Sequence, residues 1–128
     1  MSETSGSKHW PTEIRYLSES RSLEVAFDNG VSFSYPAEYL RVESPSAEVQ
    51  GHGPGQKQIV SGRRHVGIMA VEPVGNYAVR LKFDDLHDTG IYSWAYLYTL
   101  GEEQESRWTA YLQALKERGL SREPARHS

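Results

Sequence analysis

The chain of 128 residues is long enough for one domain with an apolar core of its own. With 38% hydrophobic and 24% charged residues and a formal net charge of −3, it offers no broad basic face for nucleic acid. It contains no cysteine, which removes disulfides, thiolate metal sites, iron–sulfur ligation and cysteine nucleophiles together and fits a cytoplasmic location.

Residues 1–11 are polar or lack apolar periodicity and read as a flexible tail, without the charged and apolar pattern of a signal peptide. No stretch approaches the roughly 20 apolar residues that span a bilayer, so no membrane association is expected. Ile14 and Tyr16 open a period-two pattern that continues, after a polar turn at Ser18–Ser22, in Leu23, Val25 and Phe27. Asn29-Gly30 then predicts a tight hairpin with positive φ at both central residues, and Val31, Phe33 and Tyr35 form the return strand. These three strands make an antiparallel meander with one apolar face.

Pro36 suits the first turn of a short helix over 36–42, with Tyr39 and Leu40 toward the sheet. Residues 44–58 are rich in Gly, Pro and Ser and predict a long mobile loop. A second hairpin covers 66–83: Val66, Ile68 and Ala70 alternate in one strand, Pro73–Asn76 turn, and Tyr77, Val79, Leu81 and Phe83 alternate in the other. Ile91–Leu100 reads as an aromatic helix ended by Gly101. Glu103–Arg118 reads as an amphipathic helix with Trp108, Tyr111, Leu112 and Leu115 on one stripe and Gly119 just past its end. Residues 121–128 read as a second tail, leaving one domain over 12–120. The expected class is α+β: a two-layer fold of antiparallel hairpin and meander, with two to three helices on one side.

The run Glu72–Gly101, with its HDTGIYSW core, resembles a known family, as do Asn29-Gly30, Tyr35–Arg41 (YPAEYLR) and Ser44–Gly55 (SPSAEVQGHGPG). This is the γ-butyrobetaine hydroxylase-like N-terminal domain family, also called domain of unknown function 971. The chain resembles its stand-alone bacterial form over roughly residues 12–101. The resemblance implies relatives fused to 2-oxoglutarate-dependent hydroxylases of carnitine synthesis or to P-loop proteins of iron–sulfur assembly. It also implies a structural zinc in the eukaryotic hydroxylases, held by three cysteines and a histidine. Those positions correspond here to Ser44, Ser46, Val49 and His87, so three of the four ligand types are absent. A serine hydroxyl would have to deprotonate far below its ordinary pKa to ligate zinc as a thiolate does. The chain departs further from the family pattern at Leu86, where glycine is frequent, and at Ala95, where an acidic residue is frequent.

Asp84, Asp85, His87 and Asp88 form the densest polar cluster. A histidine among carboxylates can act as a base or hold a divalent metal, and the H-x-D spacing matches part of the iron(II) facial triad. That triad needs a distant second histidine, and the only later one is His127. The structural reading is that Asp84 or Asp88 caps the aromatic helix while His87 fixes the turn. His52 and His65 complete a metal site with His87 and Asp88 only if the loop folds across. Gly51–Lys57 lacks the Walker spacing and predicts a mobile loop or one that closes on a ligand. Arg63, Arg64 and His65, with Lys57, Arg80 and Lys82, form a basic hairpin face able to steer an acidic partner. Tyr92, Trp94, Tyr96, Tyr98, Trp108 and Tyr111 exceed what one small core readily hides, so a few are expected at an interface, a homodimer's or a hetero-complex's.

No triad, nucleotide loop or complete metal set is present, so the sequence reads as a non-catalytic interaction module with no catalytic residues and no resident cofactor. Its candidate binding surface is Asp84, Asp85, His87, Asp88, Tyr92, Trp94 and Arg41. The other reading, from the enzyme class, is a small iron-binding oxidoreductase component using His87 and Asp88; zinc or iron would be the metal sought.

Overall fold

The computed structural model describes residues 9–51 and 57–124. Strands β1 (Pro11–Leu17), β2 (Ser22–Phe27) and β3 (Ser32–Pro36) form one antiparallel sheet in the order β1-β2-β3. Helices α1 (Ala37–Val42) and α2 (Ala47–Gln50) follow. A second antiparallel sheet contains β4 (Ile68–Val74), β5 (Ala78–Phe83) and β6 (Gly90–Ser93), in that order. Helices α3 (Trp94–Glu102) and α4 (Gln104–Arg118) close the chain. The fold is α+β, with two three-stranded antiparallel sheets and four helical segments among the described residues.

The period-two residues do what alternation dictates. Leu23, Val25 and Phe27 from β2 and Val79, Leu81 and Phe83 from β5 turn inward and join Leu40 of α1 and Leu97 and Leu100 of α3 in one core. Each such side chain, fully buried, contributes about 1.5–3 kcal/mol of transfer free energy. A smaller cluster of Val42, Tyr111 and Leu115 anchors α4. Gly119 takes the left-handed conformation at the end of α4, as expected. Leu112 of the predicted stripe is exposed.

Several local expectations are corrected. The first hairpin closes through a three-residue loop, 28–30: Phe27 N–H donates to Val31 O and Gly30 N–H to Phe27 O. Only Gly30 has positive φ there, since Asn29 instead accepts from Val31 N–H through its side chain. In the second hairpin a register shift between Ile68 and Ala70 makes a bulge and leaves Met69 70% exposed. β5 begins at Ala78, so Tyr77 belongs to the turn and faces solvent while Ala78 is buried.

The predicted aromatic helix begins three residues late, because Gly90–Ser93 pairs with β5 as a third strand. Ser93, not Asp84 or Asp88, caps α3: its Oγ accepts from Tyr96 N–H at 3.1 Å. Gly101 lies inside α3 and is required for close approach, since a Cβ there would sit 2.3 Å from the Phe33 ring.

The segment 44–58, predicted to be a mobile loop, contains α2, with Ser44, Ser46 and Val49 buried; residues 52–56, including His52, lie outside the described residues. The ends are partly tied down as well. His9 stacks on Tyr98, and Arg122 pairs with Glu38 while lying over the Trp108 ring. His127 lies outside the described residues.

Candidate functional site

The acidic turn after β5 is built by backbone first. Phe83 N–H donates to His87 O, and Leu86 N–H to Phe83 O. This places Leu86 at φ 75, a left-handed conformation that costs an ordinary residue about 1–2 kcal/mol. Leu86 is also 84% exposed, so no packing offsets the strain. Leu86→Gly is expected to raise stability by roughly 0.5–1 kcal/mol, the relieved strain minus the greater chain entropy of glycine. Denaturant midpoints compared at unchanged slope measure it.

Asp85 anchors the turn. Its Oδ1 accepts from His87 N–H at 3.1 Å, and its Oδ2 accepts from Arg41 Nε at 2.8 Å. Arg63 Nε approaches the same oxygen to 2.6 Å as a charge contact, not an aligned hydrogen bond. Burial pushes the Asp85 carboxyl up, but the His87 N–H and the two arginines outweigh it and hold the pKa below the usual value. Asp84 and Asp88 are exposed.

His87 is buried, with both ring nitrogens engaged. Nδ1 lies 2.9 Å from Glu48 Oε1; Nε2 lies 2.9 Å from Ser44 Oγ and 3.3 Å from Ser46 Oγ. Burial, joined by the nearby Arg41 charge, lowers the His87 pKa against the opposing pull of Glu48 and Asp85. The ring is therefore neutral at pH 7. Its contribution to stability is complete above the unfolded value of about 6.5 and is lost as pH falls toward the folded value.

Ser44, His87 and Glu48 stand in the order of a hydrolytic serine–histidine–carboxylate relay. The serine is 0% exposed, and a Cβ on Gly90 would lie 2.6 Å from its oxygen. A substrate carbonyl has no approach to it. Nor does the donor set fit the zinc implied by the resemblance: two neutral hydroxyls replace thiolates, and Val49, buried, presents carbon. Among the described residues, no three His, Asp or Glu side chains are arranged to hold a metal.

The structure divides the predicted surface. Arg41, His87, Tyr92 and Trp94 are buried, which corrects their placement there, Asp85 is half-buried, and Asp84 and Asp88 remain outside. Tyr92 is interior because β6 carries it inward, where its hydroxyl donates to Leu40 O at 2.5 Å. Trp94 donates through Nε1 to Asn76 O. Leu86, 84% exposed on the same turn, did not belong to that predicted surface.

His65 is exposed and lines a cavity of about 170 Å³ with Arg63, Asp84 and Asp85, apart from the His87 ring cluster. The expected basic face is neutralised. Arg63 meets Asp85, Arg64 meets Glu123, Lys57 meets Glu43, and Arg80 and Lys82 share Glu72.

Among the described residues, no helix is long and apolar enough to cross a membrane. No curated protein matches the chain. One similar solved structure, by NMR, is 46% identical with TM-score 0.82, covering 100% of this chain and 95% of the other. A second, also by NMR, is 42% identical with TM-score 0.80, covering 93% and 94%. A third is the crystal structure of a protein of unknown function from Acidithiobacillus ferrooxidans, of the DUF971 family. It is 45% identical with TM-score 0.61, covering 71% of this chain and 91% of that one. The profile of one family, described as gamma-butyrobetaine hydroxylase-like, N-terminal, matches residues 14–98, the span that holds most of β1, strands β2 to β6 and the His87 cluster. The chain belongs to the gamma-butyrobetaine hydroxylase-like, N-terminal family.

Proposed function

We propose that this chain is a non-catalytic accessory module that docks a protein partner through the turn between β5 and β6. The observation that carries the reading is Leu86: a leucine held 84% exposed in a left-handed conformation, on a turn braced from below by Arg41, Asp85 and His87. Strain kept at an exposed apolar residue works against folding and is characteristic of recognition sites. The flanking Asp84 and Asp88 give the tip an apolar centre between carboxylates. Family resemblance supports a partner from iron–sulfur assembly or a 2-oxoglutarate-dependent hydroxylase system, met in the cytoplasm.

Affinity capture from a bacterial extract tests this with three baits: the wild-type chain, Leu86→Asp and Leu112→Asp. Aspartate tolerates the left-handed conformation better than leucine, so the first variant keeps the fold. Leu112 is an exposed residue of α4 and serves as control. A component of one of those two systems is expected with wild type and Leu112→Asp and is lost with Leu86→Asp. Equal recovery by all three baits, or recovery of neither class, overturns the proposal.

A further inference from the structure

Where the family's hydroxylases are expected to carry zinc, the residues of this chain do not fit the metal, yet they still meet in space. Ser44 and Ser46 lie beside α2, His87 follows the turn, and Gly90 opens β6. We infer that a hydrogen-bonded clasp centred on neutral His87, with its proton on Nδ1, takes the place of the metal and fastens the α1–α2 segment to the β5–β6 turn.

The proton assignment follows from chemistry. Nδ1 faces Glu48 Oε1 at 2.9 Å, and an ionised carboxylate only accepts, so Nδ1 is the donor. Nε2 of the neutral ring is then an acceptor, and the Ser44 hydroxyl at 2.9 Å donates to it. That hydroxyl also accepts from Ser46 N–H at 3.3 Å and interacts with the Tyr92 hydroxyl. Gln50 Nε2 donates to Ser44 O at 2.8 Å, and Thr89 Oγ1 to Glu48 Oε1 at 3.4 Å, so both sides of the clasp are held again. Gly90 makes room: a Cβ there would stand 2.6 Å from Ser44 Oγ. The lone pair that a metal would need on Nε2 is occupied, and the Val49 side chain offers no donor atom.

The test is a long-range proton–nitrogen NMR spectrum of histidine-labelled protein at pH 7.5. It is recorded metal-free, with strong chelator, and with one equivalent of zinc. The expected His87 pattern is a pyrrole-like Nδ1 and a hydrogen-bonded pyridine-like Nε2, the same in all three samples, with an unchanged thermal midpoint. Ser44→Ala should move the Nε2 signal toward that of a free pyridine-like nitrogen, and Ser46→Ala should move it less. A proton on Nε2, or stoichiometric zinc that shifts the ring and raises the midpoint, overturns the inference. The wild-type spectrum decides even if Ser44→Ala fails to fold.

Discussion

Replacing Tyr92 by alanine is expected to lower stability by about 3–5 kcal/mol, the loss typical of deleting a fully buried aromatic. Tyr92→Phe separates the ring from the hydroxyl and is expected to cost about 1–3 kcal/mol, because it leaves the buried Leu40 carbonyl without its donor. Urea unfolding of both variants measures the two steps; a Tyr92→Ala cost below about 0.5 kcal/mol would mean the ring behaves as a surface residue. The hydroxyl matters because Leu40 lies in the last turn of α1, where carbonyls have no partner within the helix. Other tyrosines are used in the same way. Tyr39 donates to Leu100 O and Tyr35 to Leu97 O in α3, Tyr96 donates to Glu43 O, and Tyr111 donates to Val60 O. The aromatic excess thus supplies both apolar area and donors for backbone carbonyls. Burial is the main cause that pushes the phenols of Tyr35, Tyr39, Tyr92, Tyr96 and Tyr111 up, so they stay protonated donors at neutral pH.

Asp85→Ala is expected to cost about 3–5 kcal/mol, the range for breaking a buried ion pair by removing one partner. The Arg41 side chain is only 9% exposed, so its guanidinium would be left desolvated with its counter-ion gone. His87 N–H would lose its acceptor in the same step. Glu123→Ala is the contrast: its pair with Arg64 is exposed on both sides and should be worth at most about 1 kcal/mol. The pH dependence gives an independent readout. Because the folded Asp85 pKa lies below the unfolded value of about 3.9, its contribution is present above that pH. It is lost as pH falls through the folded value, so Asp85→Ala should flatten the acid limb of the stability curve below about pH 4. An acid limb identical to wild type, with a cost under 1 kcal/mol, would place Arg41 in contact with solvent.

By itself the sequence determined the elements whose signal is local. Alternation at Leu23–Phe27 and Val79–Phe83, the turn chemistry at Gly30 and the C-terminal glycine at Gly119 each depend on nearest neighbours, and each stands in the fold. The α+β class followed from those patterns, and the family from the resemblance carried by the HDTGIYSW and SPSAEVQGHGPG runs. Tertiary structure decided what depends on partners distant in the chain. Gly90–Ser93 is a strand because β5 offers an unpaired edge, although its Tyr92 begins an aromatic series that continues through Trp94, Tyr96 and Tyr98 in α3. Gly101 looks like a helix stop but is a contact point for Phe33, 68 positions earlier in the sequence. Ser44 and His87, separated by 43 positions, become hydrogen-bond partners only when α2 folds against the turn, which also buries Val49 of an apparent loop. Spacing along a chain reports which groups are near in sequence; burial and charge pairing, which decide whether Arg41, His87 and Tyr92 are surface or interior, arise only when the two sheets and the helices close on one core.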